Sequence, residues 1–485
     1  MIIALMTPHI AIIGGGIGGL CLAQGLRKAG LDVTVHERDR TPADRLQGYR
    51  VHIDPHGARA LHDCLPAHLW EAFLGTTGRG GQDFGFLTER LGLLALLETP
   101  KAGDPADDHH SVSRITLRQV LLSGLDDVVR FGKTYERYER LPNGRIRLFF
   151  ADGTSEDADI VVAADGGNSR VREQHLPHAK RVDTGIITVA GKFPLTDATR
   201  KRLAPRLADG PNTVIPPRGM GLFTAPHDLG EPVTYGGIGA TEQEGALMDN
   251  TSSYILWAFG ATAGRFPTDI SGMSGSQLKD TVAGLISSWH PDLRRLVGMT
   301  DPGTVTLLPI RTSIPIDPWP ASTITFIGDA IHSMTPMRGI GANTALRDAR
   351  LLCGELTTAL TGRLPGAPTD GLAGQLTDRV PDGLAGPRAG APTDGLADGL
   401  ADGLADGLAD GGTNAVTGGP AGGGDPVAAI ARYESRMREY GFAAVRDSLR
   451  SAEQFIGDSR VARMGFKSFL RLVQRFPSLK AKVFS

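Results

Sequence analysis

The stretch HIAIIGGGIGGLCLAQGLRKAGLDVTVHERD, residues 9–39, constrains the fold more than any other part of the chain. An apolar run meets Gly14-x-Gly16-x-x-Gly19, a helical pattern follows, and a second apolar run ends at Glu37. Gly14 permits a tight turn, Gly16 lets backbone approach a pyrophosphate, and Gly19 allows close helix–strand packing. The helix that follows offers unpaired N–H groups and the positive end of its dipole to a phosphate. Glu37, at the end of the second strand, can accept hydrogen bonds from a ribose diol. A strand–turn–helix–strand unit that binds a dinucleotide is therefore predicted here.

That unit accounts for a small part of 485 residues, so at least one further domain is expected. From about 362 to 424 the chain is Gly, Asp, Ala, Leu, Pro and Thr, with GAPTDGLA at 366–373 and again at 390–397 and DGLA in tandem from 394 to 409. A period of four is too short for a core-burying repeat, and lone Asp residues lack the oxygen cage that calcium needs. It reads as a linker-like insertion. Before it, strand and helix patterns alternate, as in a parallel sheet. Between about 184 and 266 the runs GIITVAGKF, PVTYGGIGA and SYILWAFG, separated by Gly and Pro, instead suggest antiparallel strands.

Charge gives little direction: 51 Lys and Arg against 53 Asp and Glu leave −2, with no field to favour nucleic acid. Three cysteines, Cys21, Cys64 and Cys353, make no disulfide framework and no metal-ligand spacing, which fits a cytoplasmic location. The opening residues lack the basic start and cleavage site of a signal peptide, and Met1 or Met6 serves equally as initiator.

Two more motifs carry chemistry. Asp159-Ile-Val-Val-Ala-Ala-Asp165-Gly166 is a buried-strand pattern closing on a turn, followed by the basic Arg170 and Arg172. Phe326-Ile-Gly328-Asp329 leads through His332, Pro336, Gly339, Gly341, Ala342 and Asn343 into a helix with Asp348. With the first motif, in this order and at these separations, the chain resembles the class A flavoprotein monooxygenases, single-component aromatic hydroxylases with the para-hydroxybenzoate hydroxylase fold as prototype. The resemblance covers roughly 1–360 and a helix near 430–455.

The resemblance implies an α/β fold: a Rossmann-like FAD-binding domain in two parts, 1–183 and 301–362, and an inserted, mostly antiparallel substrate-binding sheet, 184–300. The low-complexity insertion, 363–425, and C-terminal helices, 426–485, follow. Gly14, Gly16, Gly19, Glu37 and Arg38 fall on the family's ADP-binding positions. Arg50 falls near the flavin and pyrophosphate, Arg114 at the residue reaching the flavin side chain with Arg118 as its alternative. Asp165 and Gly166 match the motif tied to FAD and NAD(P)H, Gly328 and Asp329 the ribityl-binding pair, and Gly339, Gly341, Ala342 and Asn343 the loop along the flavin. Arg50 and Pro336 are the candidates for catalytic support, and His332 fits a structural partner better than a base.

The implied activity is transfer of one oxygen atom from O2, through a flavin C4a-hydroperoxide formed after NADPH or NADH reduces FAD, to a hydrophobic aromatic, polyketide or terpenoid-like molecule by hydroxylation or epoxidation. An FAD oxidase or polyprenyl reductase-like enzyme, or a flavin-bound ligand-sequestering protein, are the alternatives. No metal is expected. On the substrate side, Ile255, Trp257 and Phe259 share a strand face that is core or pocket wall, with Phe223 and Tyr235 on neighbouring runs. After Asp458 come seven bases and no acid, with Phe466, Phe469, Leu470, Val473 and Phe476 at helical spacing. Packing against the protein's own body is favoured there over a membrane surface.

Overall fold

A computed structural model describes residues 8–42, 44, 49–78, 81, 83–99, 101–229, 252–363, 424–476 and 480. Tyr235 and nearly all of the Gly-Asp-Leu-Ala insertion lie outside them.

Ile10–Ile13 forms the middle strand of a five-stranded sheet and is 0–2% exposed, as a strand covered on both faces must be. The order is Ile324–Phe326, Ile160–Ala163, Ile10–Ile13, Val33–His36, Val129–Arg130, and every pairing is parallel. Helix Ile17–Lys28 packs on this sheet beside helix Gly341–Thr361, where Gly18 would bring a Cβ to 3.2 Å from the Ala345 Cβ. Glycine at that crossing is what lets the two helix backbones approach. A two-stranded ribbon, Arg50–Ile53 with His110–Ser113, stands at its side.

The second sheet has seven strands in the order Thr306–Ser313, Arg181–Pro194, Tyr254–Thr262, Met220–His227, Asn212–Ile215, Phe84–Thr88, Leu93–Leu97. All pairings are antiparallel except Asn212–Ile215 with Phe84–Thr88. The sheet therefore reaches beyond 184–300, taking strands from both flanks of that span. Short alternating runs such as FGFLT and LLALL carry no sign of which sheet they will join, because that is decided by pairing partners distant in the chain.

One face of this sheet is covered by helices Gly275–Leu285 and Pro291–Gly298. Val189, Phe193, Leu222, Ile255, Trp257 and Phe259 fill that layer. The opposite face carries Ala190, Phe223, Leu256 and Ala258, with Tyr49 packed on them. Helix Pro426–Ile456 starts on Asp425, whose side chain accepts from Val427 N, and runs from the parallel sheet to the second sheet. At its start the Tyr433 hydroxyl donates to Phe326 O at 2.8 Å, and at its end the Phe455 ring occupies the space a side chain on Gly221 would need. Among the described residues no helix is long and apolar enough to cross a membrane.

Candidate active site

Because the parallel strands are in register, Ile13 beside His36 and Ala163, and Ala163 beside Phe326, the motifs that follow them leave one edge of the sheet together. Gly14 has φ +114°, and a Cβ there would collide with the Ala164 carbonyl oxygen and the Asp165 amide. Gly19 would drive a Cβ into Gly14 O. Gly16 differs: a Cβ would meet nothing within 4 Å. It caps helix Ile17–Lys28 with no side-chain hydrogen bond, and the first turn carries no acid. Open space in front of unpaired N–H groups at a positive helix end is a phosphate cradle.

Glu37 is 7% exposed, and its carboxylate accepts from Gly15 N at 2.7 Å and from Asp39 N at 2.9 Å. It thus holds the glycine turn while keeping lone pairs for a ribose. Arg38 is exposed and follows it directly. Of the two arginines one turn apart, Arg114 is exposed, whereas Arg118 lies over the loop: its Nε donates to Gly15 O at 3.2 Å, Nη1 to Pro42 O at 3.0 Å, and Nη2 sits 3.5 Å from Asp39 Oδ2.

Asp165 Oδ2 accepts from Arg170 N at 2.9 Å, and burial raises its pKa. Its other oxygen is buried without a hydrogen-bond partner. Gly166, φ +79°, faces open space. Arg172, which carries no motif of its own, ties this motif to the next: Nη2 donates to Gly167 O at 3.0 Å and Nη1 to Ala330 O at 2.8 Å. Gly328, φ +58°, donates its N–H to Asp348 Oδ2 at 2.7 Å, and Asp329 is exposed at the start of the short helix Asp329–His332.

His332 is fully buried, with Nε2 2.6 Å from Asp348 Oδ2; Tyr440 donates to Asp348 Oδ1 at 2.5 Å. Burial opposes a charge on His332, but the Asp348 carboxylate prevails and raises its pKa. The pair is a buried strut behind the Gly328 turn, and His332 has no path to a substrate. Pro336 and Gly339 are exposed, Gly341 and Ala342 partly buried, at the entry to helix Gly341–Thr361. Asn343 is 2% exposed: Nδ2 donates to His52 O and Oδ1 accepts from Asp54 N, so its side chain clamps the Arg50–Ile53 strand to that helix.

Arg50 is tied to the ribbon and, through it, to the second sheet. Its Nε donates to Ser111 Oγ at 2.7 Å, and Ser111 Oγ lies 3.2 Å from Nδ1 of the fully buried His227. Burial pushes the Arg50 guanidinium down to about 10, so it stays cationic, and burial beside Arg50 and Lys192 pushes His227 to about 4, so it stays neutral. Arg50 can only donate to Ser111, whose hydroxyl keeps a proton and a second lone pair with which to meet His227 Nδ1, so the ring is held through that nitrogen and Nε2 is left over. That Nε2 is buried with no hydrogen-bond partner. His227 pairs with Tyr254 across the strands, and Lys192 Nζ sits 4.7 Å over the Tyr254 ring. Ser111, Lys192 and His227 carried no motif and were missed.

Trp257 and Phe259 do share a face with Ile255, but it is the helix-covered one. Trp257 Nε1 donates to Thr300 Oγ1 at 2.8 Å, and Phe259 packs edge-on to Phe266. They are core. Phe223 is on the open face, stacked on Phe84 at 6.3 Å, and the Tyr49 hydroxyl crosses to Thr304 O at 3.1 Å, joining the Arg50 strand to this face. Met337, next to Pro336, packs on Ile186 and Ile310 of the same sheet. The motif edge and the open sheet face thus confront each other.

An FAD binding domain model matches residues 299–370, and an NAD(P)-binding Rossmann-like domain model matches 12–76. The chain is 30% identical over 392 residues to the dual O-methyltransferase/FAD-dependent monooxygenase CTB3 of Cercospora beticola, covering 72% of this chain and 42% of that protein. It thus spans about two-fifths of that relative. To the 3-amino-4-hydroxybenzoate 2-monooxygenase PtmB3 of Streptomyces platensis it is 29% identical, over 73% of this chain and 80% of the other. A crystal structure of a putative FAD-containing monooxygenase from Photorhabdus luminescens superposes with a TM-score of 0.71 at 34% identity, covering 93% of this chain and 99% of that one. The cradle, the acid and the three converging motifs fit FAD, and the chain belongs to the class A FAD-dependent monooxygenases.

Proposed function

We propose that the protein is an NAD(P)H-driven monooxygenase that places one oxygen atom of O2 on a hydrophobic aromatic or polycyclic molecule. The observation that carries this reading is the confrontation of the FAD-motif edge with the open sheet face bearing Phe84, Phe223, Leu256 and Ala258. When bound, FAD supplies hydride acceptance from NAD(P)H and activation of O2.

The chain's own residues supply the rest. The Gly14–Gly19 turn and Arg118 would hold the pyrophosphate end, and Gly328, braced by Asp348, sets the turn from which Asp329 would meet the ribityl chain. Pro336 and Gly339 would line the ring, and Ala190, Phe223, Leu256 and Ala258 form an apolar floor that would exclude water from the reacting atoms. Arg50, with Ser111 and His227, places a cation and an imidazole ring at one end of that floor, where a phenolic or carbonyl oxygen would be oriented. The three free cysteines support a reducing, cytoplasmic setting.

The test is anaerobic mixing of the FAD-loaded protein with NADPH or NADH, with and without candidate aromatics, followed by admission of O2. Ligand-accelerated bleaching and a product heavier by one oxygen support the reading. Turnover that yields only peroxide with every ligand, or flavin that no nicotinamide reduces, overturns it.

A further inference from the structure

Helix Arg460–Arg475 has two apolar faces, and the protein uses one. On the inner face Phe466, Leu470 and Val473 pack toward the strands of the second sheet, Leu470 joining Leu94, Ala95 and Ile215. Arg463, 5% exposed, fastens the same face: its Nη1 donates to Pro216 O and Met220 O, and its Nε to Gly457 O. Lys467 pairs with Glu89 and Lys480 with Glu98. The helix is anchored by these contacts, as an intramolecular role requires.

The outer face gathers exposed apolar side chains. Val461 is 78% exposed, Met464 66%, Leu472 48% and Phe476 48%, and Leu93 of the adjacent edge strand adds another 48%. At 100° per residue Val461, Leu472 and Phe476 fall on one stripe, and Arg460, Arg471 and Arg475, all exposed, fall on the stripe beside it. Arg460 also lines a cleft of about 330 Å³ with Arg218 and Arg265. From Ser459 to the end of the sequence there is no acidic residue, in a chain whose net charge is −2.

From this we infer a docking surface for an anionic lipid bilayer, with the helix lying in the interface plane. Exposed apolar side chains flanked by arginines match that partner: the first enter the acyl boundary and the second meet the phosphates. Charge decides against a second copy of the chain. A two-fold interface sets this patch against its own copy, which brings more arginines and, from this helix, no carboxylate to pair with them. A bilayer would also be a reservoir for a hydrophobic substrate.

The test is co-sedimentation of the FAD-loaded full chain with vesicles of phosphatidylcholine alone, or with about a third phosphatidylglycerol. Binding to the second, weakened by salt, is expected. Val461→Ser with Met464→Ser and Leu472→Ser, and separately Arg471→Ala with Arg475→Ala, should each reduce it about tenfold or more while melting temperature and bound FAD are unchanged. A parent protein that stays in the supernatant with anionic vesicles at low salt overturns the inference. So do variants that bind as the parent does, or a dimer of the parent that the apolar triple variant dissolves.

Discussion

His332 Nε2 and Asp348 Oδ2 lie 2.6 Å apart, both fully enclosed, and the same carboxylate oxygen takes the Gly328 N–H at 2.7 Å. One buried carboxylate thus holds both the His332 ring and the turn that begins the Gly328-Asp329 motif. His332 has its pKa raised above the usual 6.5 by Asp348, so the stabilisation it contributes is complete below that pH and is lost as pH rises through the folded value. Asp348→Asn should therefore cost roughly 3 kcal/mol at pH 6 and less at pH 9, read by denaturant unfolding. An equal loss at both pH values would mean that the pair is not ionised.

Glu434 has the same pH sense from a different cause. It is fully buried, accepts from Thr325 Oγ1 at 2.8 Å, and burial pushes its carboxyl up to about 7. Because the folded state holds this proton more tightly, stability is greatest below about 4.5 and falls as pH rises toward 7. Glu434→Gln should raise stability by roughly 1–3 kcal/mol at pH 8 and change it little at pH 5. Thermal melts at the two pH values check this.

The glycines of the first motif separate by what a methyl would meet. Gly14→Ala forces a side chain into Ala164 O at a positive φ, so the fold and FAD should be lost together. Gly16→Ala has room, so its melting temperature in the apo form should stay near the parent's while FAD affinity falls by about tenfold or more. FAD titration beside apo-protein melts distinguishes the two.

Arg118 and Arg114 make a second pair. Removing the Arg118 side chain frees Gly15 O and uncovers Glu37 and Asp39, so Arg118→Ala should weaken FAD by about tenfold. Arg114→Ala, at an exposed position, should leave FAD affinity within about twofold. Fluorescence titration reads both.

Trp257→Ala should destabilise by about 3–5 kcal/mol through a core cavity and the loss of its bond to Thr300. Phe223→Ala should leave the melting temperature nearly unchanged and raise KM for the substrate. A steady-state series run alongside melts tells them apart.

The first motif was legible because Gly14, Gly16 and Gly19 each answer a local steric demand that can be read without the rest of the fold. Asp165 and Gly328 were legible for a related reason, as turn residues ending apolar strands. Arg50's direction was not, because Ser111 and His227 come from other segments and become its neighbours only when the ribbon meets the second sheet. The face of Trp257 was likewise hidden: alternation separates two sides of a strand but does not say which one the helices Gly275–Leu285 and Pro291–Gly298 will cover. The two-sided helix at 460–475 was visible as a pattern, yet its division into an anchored and a bare face needed Arg463's carbonyl partners.

Gly424 N donates to Ala359 O at 2.7 Å, so two residues 65 positions apart in the sequence are neighbours in space. The gap between the end of helix Gly341–Thr361 and the start of helix Pro426–Ile456 is therefore set by the packing of those two helices, and a stretch of any length joining them has only that short distance to bridge.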